Sequence, residues 1–190
     1  VPAKSVQELI ALAKSKPGEL NYSIGTRGSA IHLSAELFRL MAGINIVGVS
    51  YKGGTASTNA VIAGEVQMGF PTATGVTPQL KTGKLRALAI TAAQPSALLP
   101  GLPTMAASGL PGYESVNYTG LFVPAGTPAA IIRRLNQEIV RVLRQPDVKD
   151  KLANIGAETV ANLPEQAAAI LKAEIVRMSK VIKDAGIRAE

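Results

Sequence analysis

The sequence predicts an α/β protein whose parallel sheet is covered by helices. Three observations carry this reading. Short runs with few charges alternate with helix-period segments three times between residues 20 and 91. Each run passes into its helix through a loop of Gly, Ser and Thr. Apolar residues make up 47% of the 190 and charged residues only 17%, so the chain can bury a sizeable core and is not disordered. Strands so poor in charge suit a sheet covered on both faces.

The elements follow in order. Ser5-Val6-Gln7-Glu8 is a capping box opening a helix to about Ser15, which Pro17-Gly18 stops. Leu20 to Ile24 reads as a strand and Gly25 to Ser29 as a turn. The next helix carries Ile31, Leu33, Leu37, Leu40 and Met41 at helical spacing, and Gly43 ends it. Asn45 to Ser50 is a second strand. Thr55 can cap a short helix that closes at Gly64. Val66 to Phe70 is a third strand, followed by the loop Pro71 to Thr74 and a helix ending near Gly83. Leu85 to Thr91 reads as a fourth strand. Pro95, Pro100, Pro103 and Pro111 mark a surface connection with one short helix near Met105 to Ser108. Val116 to Val123 reads as a longer strand. Thr127 as N-cap and Pro128 at the first helical position begin a strong helix, with Ile131, Ile132, Leu135, Ile139, Val142 and Leu143 as its buried stripe. Pro146 opens a short helix to about Asn154, and Glu158 to Val160 fits a small strand. Pro164 to Lys183 is a long amphipathic helix with Ala168, Leu171, Ile175, Met178 and Ile182 on one face.

Composition excludes several kinds of chemistry. There is no Cys, hence no disulfide framework, thiolate metal site or Cys nucleophile, and one His excludes a multi-His site within one chain. No apolar run approaches the roughly 20 residues of a membrane span, so direct membrane insertion is not expected. The net charge of +7 invites a nucleic-acid partner. The basic residues are scattered, however, and no aromatic interleaves with a basic cluster, so no nucleic acid is expected. A mild field favouring small anions fits better.

Three loops, Gly25 to Ser29, Gly53 to Thr55 and Thr72 to Thr74, each follow a strand and precede a helix. In a parallel sheet such loops share the carboxyl edge, where open α/β sheets bind ligands. Helix N-termini there offer backbone N–H groups to an anion, Gly lets ligand approach, and Ser and Thr add hydroxyls. Each loop also fits a purely structural role, with Gly as turn residue and Ser29, Thr55 or Thr74 as N-cap. The Gly25 to Ser29 run matches neither a Walker A loop nor G-x-G-x-x-G. His32 falls on the first helical turn after it, where a neutral imidazole or a packed structural one both fit. No nucleophile–base pair and no carboxylate pair is present, so no catalytic residue is assigned.

These residues resemble a known family. Tyr22 to Leu33, with Ser23, Gly25, Gly28, Ser29, His32 and Leu33, resembles the S-x-G-x-G-S/T-x-x-H-L segment of the Bug, or TctC-type, extracytoplasmic solute receptors of tripartite tricarboxylate transporters. Val49 to Gly54 is similar to V-P-Y-K-G-G, Gly83 to Ala89 to G-K-L-R-A-L-A, Leu102 to Tyr113 to V-P-T…S-G-L-P-G-Y, and Leu121 to Pro128 to L-L-A-P-A-G-T-P. The resemblance spans essentially the whole chain.

It implies a periplasmic-binding-protein-like α/β fold of two lobes, a parallel-rich sheet flanked by helices, and a C-terminal helical section belonging to the other lobe. By the family pattern residues 1–19 are a lead-in helix from the first lobe. Residues 20–115 are the second lobe. Residues 116–190 are a crossover strand and helices packing on the first lobe, whose opening strand and P-x-G-G loop match nothing here. The expected function is periplasmic capture of a small carboxylate, or related polar organic ligand, for delivery to membrane permease subunits, with no cofactor and no metal. The alternative is a regulatory domain or an enzyme on a similar fold, which the missing nucleophile–base pair disfavours. The expected ligand-binding set is Ser23, Gly25, Thr26, Gly28, Ser29, His32, Tyr51, Gly53, Gly54, Thr72 and Thr74. Many members carry Asp after the third strand, where this chain has Pro71-Thr72; a Thr there accepts an anion that Asp would repel.

Overall fold

A computed structural model describes residues 1–188. The chain divides into two compact units, Val1–Asn117 with the residues from Val181 on, and Tyr118–Lys180.

The first unit is built on α1 (Val6–Ser15), β1 (Asn21–Ile24), α2 (Ala30–Ala42), β2 (Val47–Ser50), α3 (Gly54–Ala63), β3 (Met68–Gly69) and α4 (Ala73–Lys81). Helix α1 starts as its capping box predicts: the Ser5 hydroxyl accepts from the Glu8 amide at 3.1 Å. The Glu8 carboxylate reaches one residue further back than the motif specifies, to the Lys4 amide. Helix α2 is capped by Ser29 and by Gly43, whose φ of +59° gives the left-handed C-cap that glycine adopts without a Cβ penalty.

The three strands pair in the order β2-β1-β3, all parallel, with Ile24 opposite Ser50 and Ser23 opposite Gly69. The chain leaves β1 toward one neighbour and then crosses to the other. Right-handed crossovers in opposite directions put α2 and α3 on opposite faces. Side-chain alternation agrees. Tyr22 reaches Glu36 of α2, while a Cβ on Gly69 would meet Ser23 Oγ at 2.7 Å and Val61 of α3 at 3.1 Å. Small residues on that face, Ser23, Gly69, Ser57 and Ala60, let α3 lie close on the sheet. The core on the other side gathers Val6, Leu9, Tyr22, Ile24, Phe38, Ile44 and Ile46, with Met105, Leu110 and Tyr113 of the Pro-rich connection closing over it. The Tyr113 hydroxyl donates to the Ser34 carbonyl at 2.9 Å, and the Ser34 and Ser115 hydroxyls pair at 2.6 Å.

Several expected elements do not form. Residues 85–91 make no strand; the segment contributes one parallel bridge, Ile90 to Thr104, because no neighbouring strand extends the ladder. The short helix at Met105 to Ser108 is a set of turns. Residues 116–123 and 158–160 form no strand among the described residues, and Leu121 and Phe122 are about four-fifths exposed (80% and 79%).

The second unit contains α5 (Ala129–Leu143), α6 (Pro146–Asn154) and most of α7 (Pro164–Asp184). Pro128, not Thr127, is the N-cap of α5; the Thr127 hydroxyl turns back to the Pro124 carbonyl. The apolar stripe predicted to be buried on α5 is not: no residue of that helix is buried, and Ile131, Leu135 and Val142 are exposed. Leu171, Ile175 and Ile182 of α7 are exposed as well.

Candidate functional site

The loops after β1, β2 and β3 converge on the carboxyl edge of the sheet, with β1 in the middle, where strand order reverses. The first two loops touch through their backbones. The Gly53 amide donates to the Gly25 carbonyl at 3.2 Å, and a Cβ on Gly25 would stand 3.2 Å from both Gly53 C and Gly54 N. Glycine at position 25 is therefore a close-approach residue.

The three helix starts differ in how their amides are satisfied. Helix α2 is capped from within: Ser29 Oγ accepts from the His32 amide at 3.4 Å, and the Gly28 amide donates to His32 Nδ1 at 3.0 Å. Helix α3 is not. Its N-cap is Gly53, at φ +89°, with no side chain to reach back. The first helical bond runs from the Ser57 amide to the Gly53 carbonyl, so helix geometry leaves the Gly54, Thr55 and Ala56 amides without intrahelical acceptors. The Thr55 cap expected from sequence is displaced, since Thr55 lies inside the helix. Helix α4 has Thr72 as N-cap but no side-chain cap bond; its hydroxyl pairs with that of Thr74 at 3.0 Å. Two neighbouring helix N-termini thus present donors and the positive ends of their dipoles to one edge.

The remaining expected residues are placed as follows. Thr26, Gly28, Gly54 and Thr74 are exposed, and Ser29, Tyr51, Gly53 and Thr72 partly so. Gly25 is buried against the second loop. Ser23, only 1% exposed, lies within β1 beside Gly69 on the α3 face. The Tyr51 hydroxyl donates to the Glu65 carboxylate at 3.2 Å. Desolvation pushes the Tyr51 hydroxyl pKa up, and that carboxylate adds to it.

Beneath the first loop is a charged network that sequence reasoning missed. The buried Glu36 carboxylate accepts from Arg39 Nε and Nη2 at 2.9 and 2.7 Å, and from the Tyr22 hydroxyl. Burial alone would raise the Glu36 pKa, but the Arg39 and Tyr22 hydrogen bonds outweigh it and hold it below the usual value. Burial, then the Glu36 carboxylate, drives the Tyr22 hydroxyl far up. The signal was present as Glu36 and Arg39 at i,i+3 on one helix face. His32 is buried and its pKa is lowered, first by desolvation; Glu36 opposes this, and Arg27 and Arg39 add to it.

Among the described residues no group of three His, Asp or Glu side chains is placed to hold a metal ion, and no helix is long and apolar enough to cross a membrane. Depressions of about 540 and 510 Å³ lie in the second unit, lined by residues such as Asn136, Arg144, Leu163 and Gln166. No residue of the expected set lines either.

Comparison with known proteins places the chain in a family. The family model described as "Tripartite tricarboxylate transporter family receptor" matches residues 1–187. BugT of Bordetella pertussis is 33% identical over 184 residues, which are 97% of this chain and 56% of BugT. Among solved structures, "R. palustris Rpa4515 with adipate" superposes with a TM-score of 0.88 at 37% identity, covering 98% of this chain and 62% of that one. "MatC (Rpa3494) from Rhodopseudomonas palustris with bound malate" gives 0.77 at 30% identity, covering 95% and 63%. The chain spans less than two thirds of the length of each of these three proteins.

Proposed function

The chain belongs to the tripartite tricarboxylate transporter receptor family, and from that premise we propose that its first unit holds a small carboxylate at the carboxyl edge of β1, β2 and β3. The family is one of solute-binding receptors, not of enzymes. The protein in full would work in the periplasm and pass its ligand to membrane permease subunits. The single observation that carries the ligand class is the pair of helix starts, α3 and α4, that lack side-chain caps on one sheet edge. Uncapped N–H groups in the field of a helix N-terminus are neutral donors suited to a carboxylate oxygen. The adipate and malate named for two similar receptors support the same class. Binding rests on these neutral donors, with the Thr72 and Thr74 hydroxyls, and not on an Arg–carboxylate fork.

Gly54→Asp tests this in the full-length protein. An Asp at the first position of a helix is favoured by the dipole, so the melting temperature should hold or rise. The same charge occupies the anion's place. Calorimetric titration with adipate and malate should show affinity down by at least about tenfold, equal to roughly 1.4 kcal/mol. Unchanged affinity in a stable Gly54→Asp protein overturns the proposed site.

A further inference from the structure

We propose that His32 is the positioning residue of the first loop: its bare Nδ1 holds the Gly28 amide, fixing residues 25–28 in the binding form, and a proton on Nδ1 releases them. Loss of affinity on acidification rests on the carboxylate-binding reading above; the latch itself does not.

The hydrogen bond identifies the tautomer. A backbone N–H can only donate, so Nδ1, at 3.0 Å from the Gly28 nitrogen, must be the nitrogen without a proton. In the neutral ring the hydrogen is then on Nε2. Protonation puts a hydrogen on Nδ1 facing the Gly28 N–H, and attraction becomes repulsion. Nothing short of moving the loop or the ring relieves it.

The loop is built so that this bond matters. The turn at Gly28 has φ +75°, and no atom lies within 4 Å of where a Cβ would stand. It is held by two bonds to the first helical turn, Gly28 to His32 Nδ1 and His32 N to Ser29 Oγ, and by the Ser29 amide to the Thr26 carbonyl at 3.1 Å. The Gly25 carbonyl in turn receives the Gly53 amide, which couples the first loop to the start of α3. The same bond removes the Gly28 N–H from the donors a ligand can use, so Gly28 acts through its conformation.

Three charged groups bear on the ring. Glu36 and Arg39 come from α2, and Arg27 from the loop. Glu36 favours the imidazolium, but its carboxylate is already engaged by Arg39 and by Tyr22 of β1. Arg27, Arg39 and the helix N-terminus all oppose a positive charge there. Burial opposes it most, so protonation falls below the ordinary 6.5. The loop is latched at neutral pH and opens on acidification.

The test uses the full-length protein and His32→Asn, whose amide oxygen can replace Nδ1 as an acceptor that does not titrate. Nitrogen-15 spectra should show Nδ1 unprotonated at pH 8, and the Gly28 amide shift should move with the His32 titration as pH falls. A Gly28 shift that ignores that titration overturns the latch. Adipate affinity is then measured in both proteins at pH 7.5 and at one pH unit below the observed midpoint of the His32 titration. The ligand's own ionisation is common to both and cancels. The loss between the two pH values should be about tenfold larger in the wild type than in His32→Asn. Equal losses overturn the proposal. If neither protein binds adipate or malate at either pH, the carboxylate reading fails and the Gly28 titration decides the latch alone.

Discussion

Gly28 and Gly54 lie on one edge yet answer to different physics. From sequence, Gly28→Val is expected to abolish binding and leave the fold standing. The φ of +75° adds a backbone cost that any side chain incurs, about 1–2 kcal/mol, even though the surrounding space is open. Gly28→Ala should therefore lower the melting temperature by the equivalent of that cost, and an unchanged melt would show that the turn relaxes freely. Gly54 has no such strain; a Cβ there makes only ordinary contact, 3.6 Å from Ile31 Cδ1, so Gly54→Asp separates affinity from stability where Gly28 variants mix them. Gly48 is a third case. A Cβ on it would fall 2.6 Å from Ile24 Cδ1 and 2.8 Å from the Tyr22 hydroxyl. Gly48→Ala must displace Tyr22 from Glu36 and should cost about 1–3 kcal/mol in urea unfolding. Arg27 lies within the first loop, but neutral donors carry the proposed site. Arg27→Gln should thus change adipate affinity by less than about threefold; a loss as large as that of Gly54→Asp would replace the neutral-donor account with an ionic one.

Helix α2 joins the loop to the core, and its acid response follows from which groups it buries. Glu36 titrates below the unfolded value of 4.5, so its contribution is fully present above pH 4.5 and is lost as pH falls through its folded value. His32 also titrates below its unfolded value of 6.5, and its folded neutral form loses ground as pH drops below 6.5. Stability measured by urea should decline in two stages on acidification. Glu36→Gln should remove the lower stage and leave the upper. A single stage in the wild type would place one of these groups in solvent. The sequence made much of this helix legible: apolar spacing, the Ser29 cap and Gly43 at the end are local signals. So were β1, β2 and the loops that follow them. The Glu36–Arg39–Tyr22 network was not, because its third member comes from a strand and pairing across elements leaves no local pattern. Residues 85–91 and 116–123 read as strands because their side chains suit a ladder, but a strand also needs a neighbour, which composition does not supply. Thr55 and Thr127 read as caps by residue type; the helices begin at Gly54 and Ala129, since glycine and proline turns set the entry.

At the scale of the whole chain, the two units bury apolar surface very differently. The first unit encloses nearly all of the fully buried apolar residues. In the second, helix α5 is strongly amphipathic, with Arg134 and Arg141 both paired to Glu138 on its polar side, yet its apolar side chains are open. Leu121, Phe122, Ile131, Leu135, Leu171, Ile175 and Val176 are all exposed. Large apolar surface of this kind marks an interaction site or an aggregation liability. The net charge of +7 favours solubility through repulsion, but that long-range effect is screened over about 8 Å at physiological salt, whereas apolar association is not. Expressed as these 190 residues alone, the protein should therefore self-associate, and more so as salt is raised. Light scattering should report species heavier than one chain. Leu135→Lys with Ile175→Lys places two charges on the exposed apolar faces of α5 and α7 without touching a buried residue. The double variant should move the population toward the single-chain mass, with helix content unchanged by circular dichroism. A wild-type segment that is monodisperse at the mass of one chain would mean that these faces need no partner, and the apolar pattern of α5 and α7 would then require another explanation.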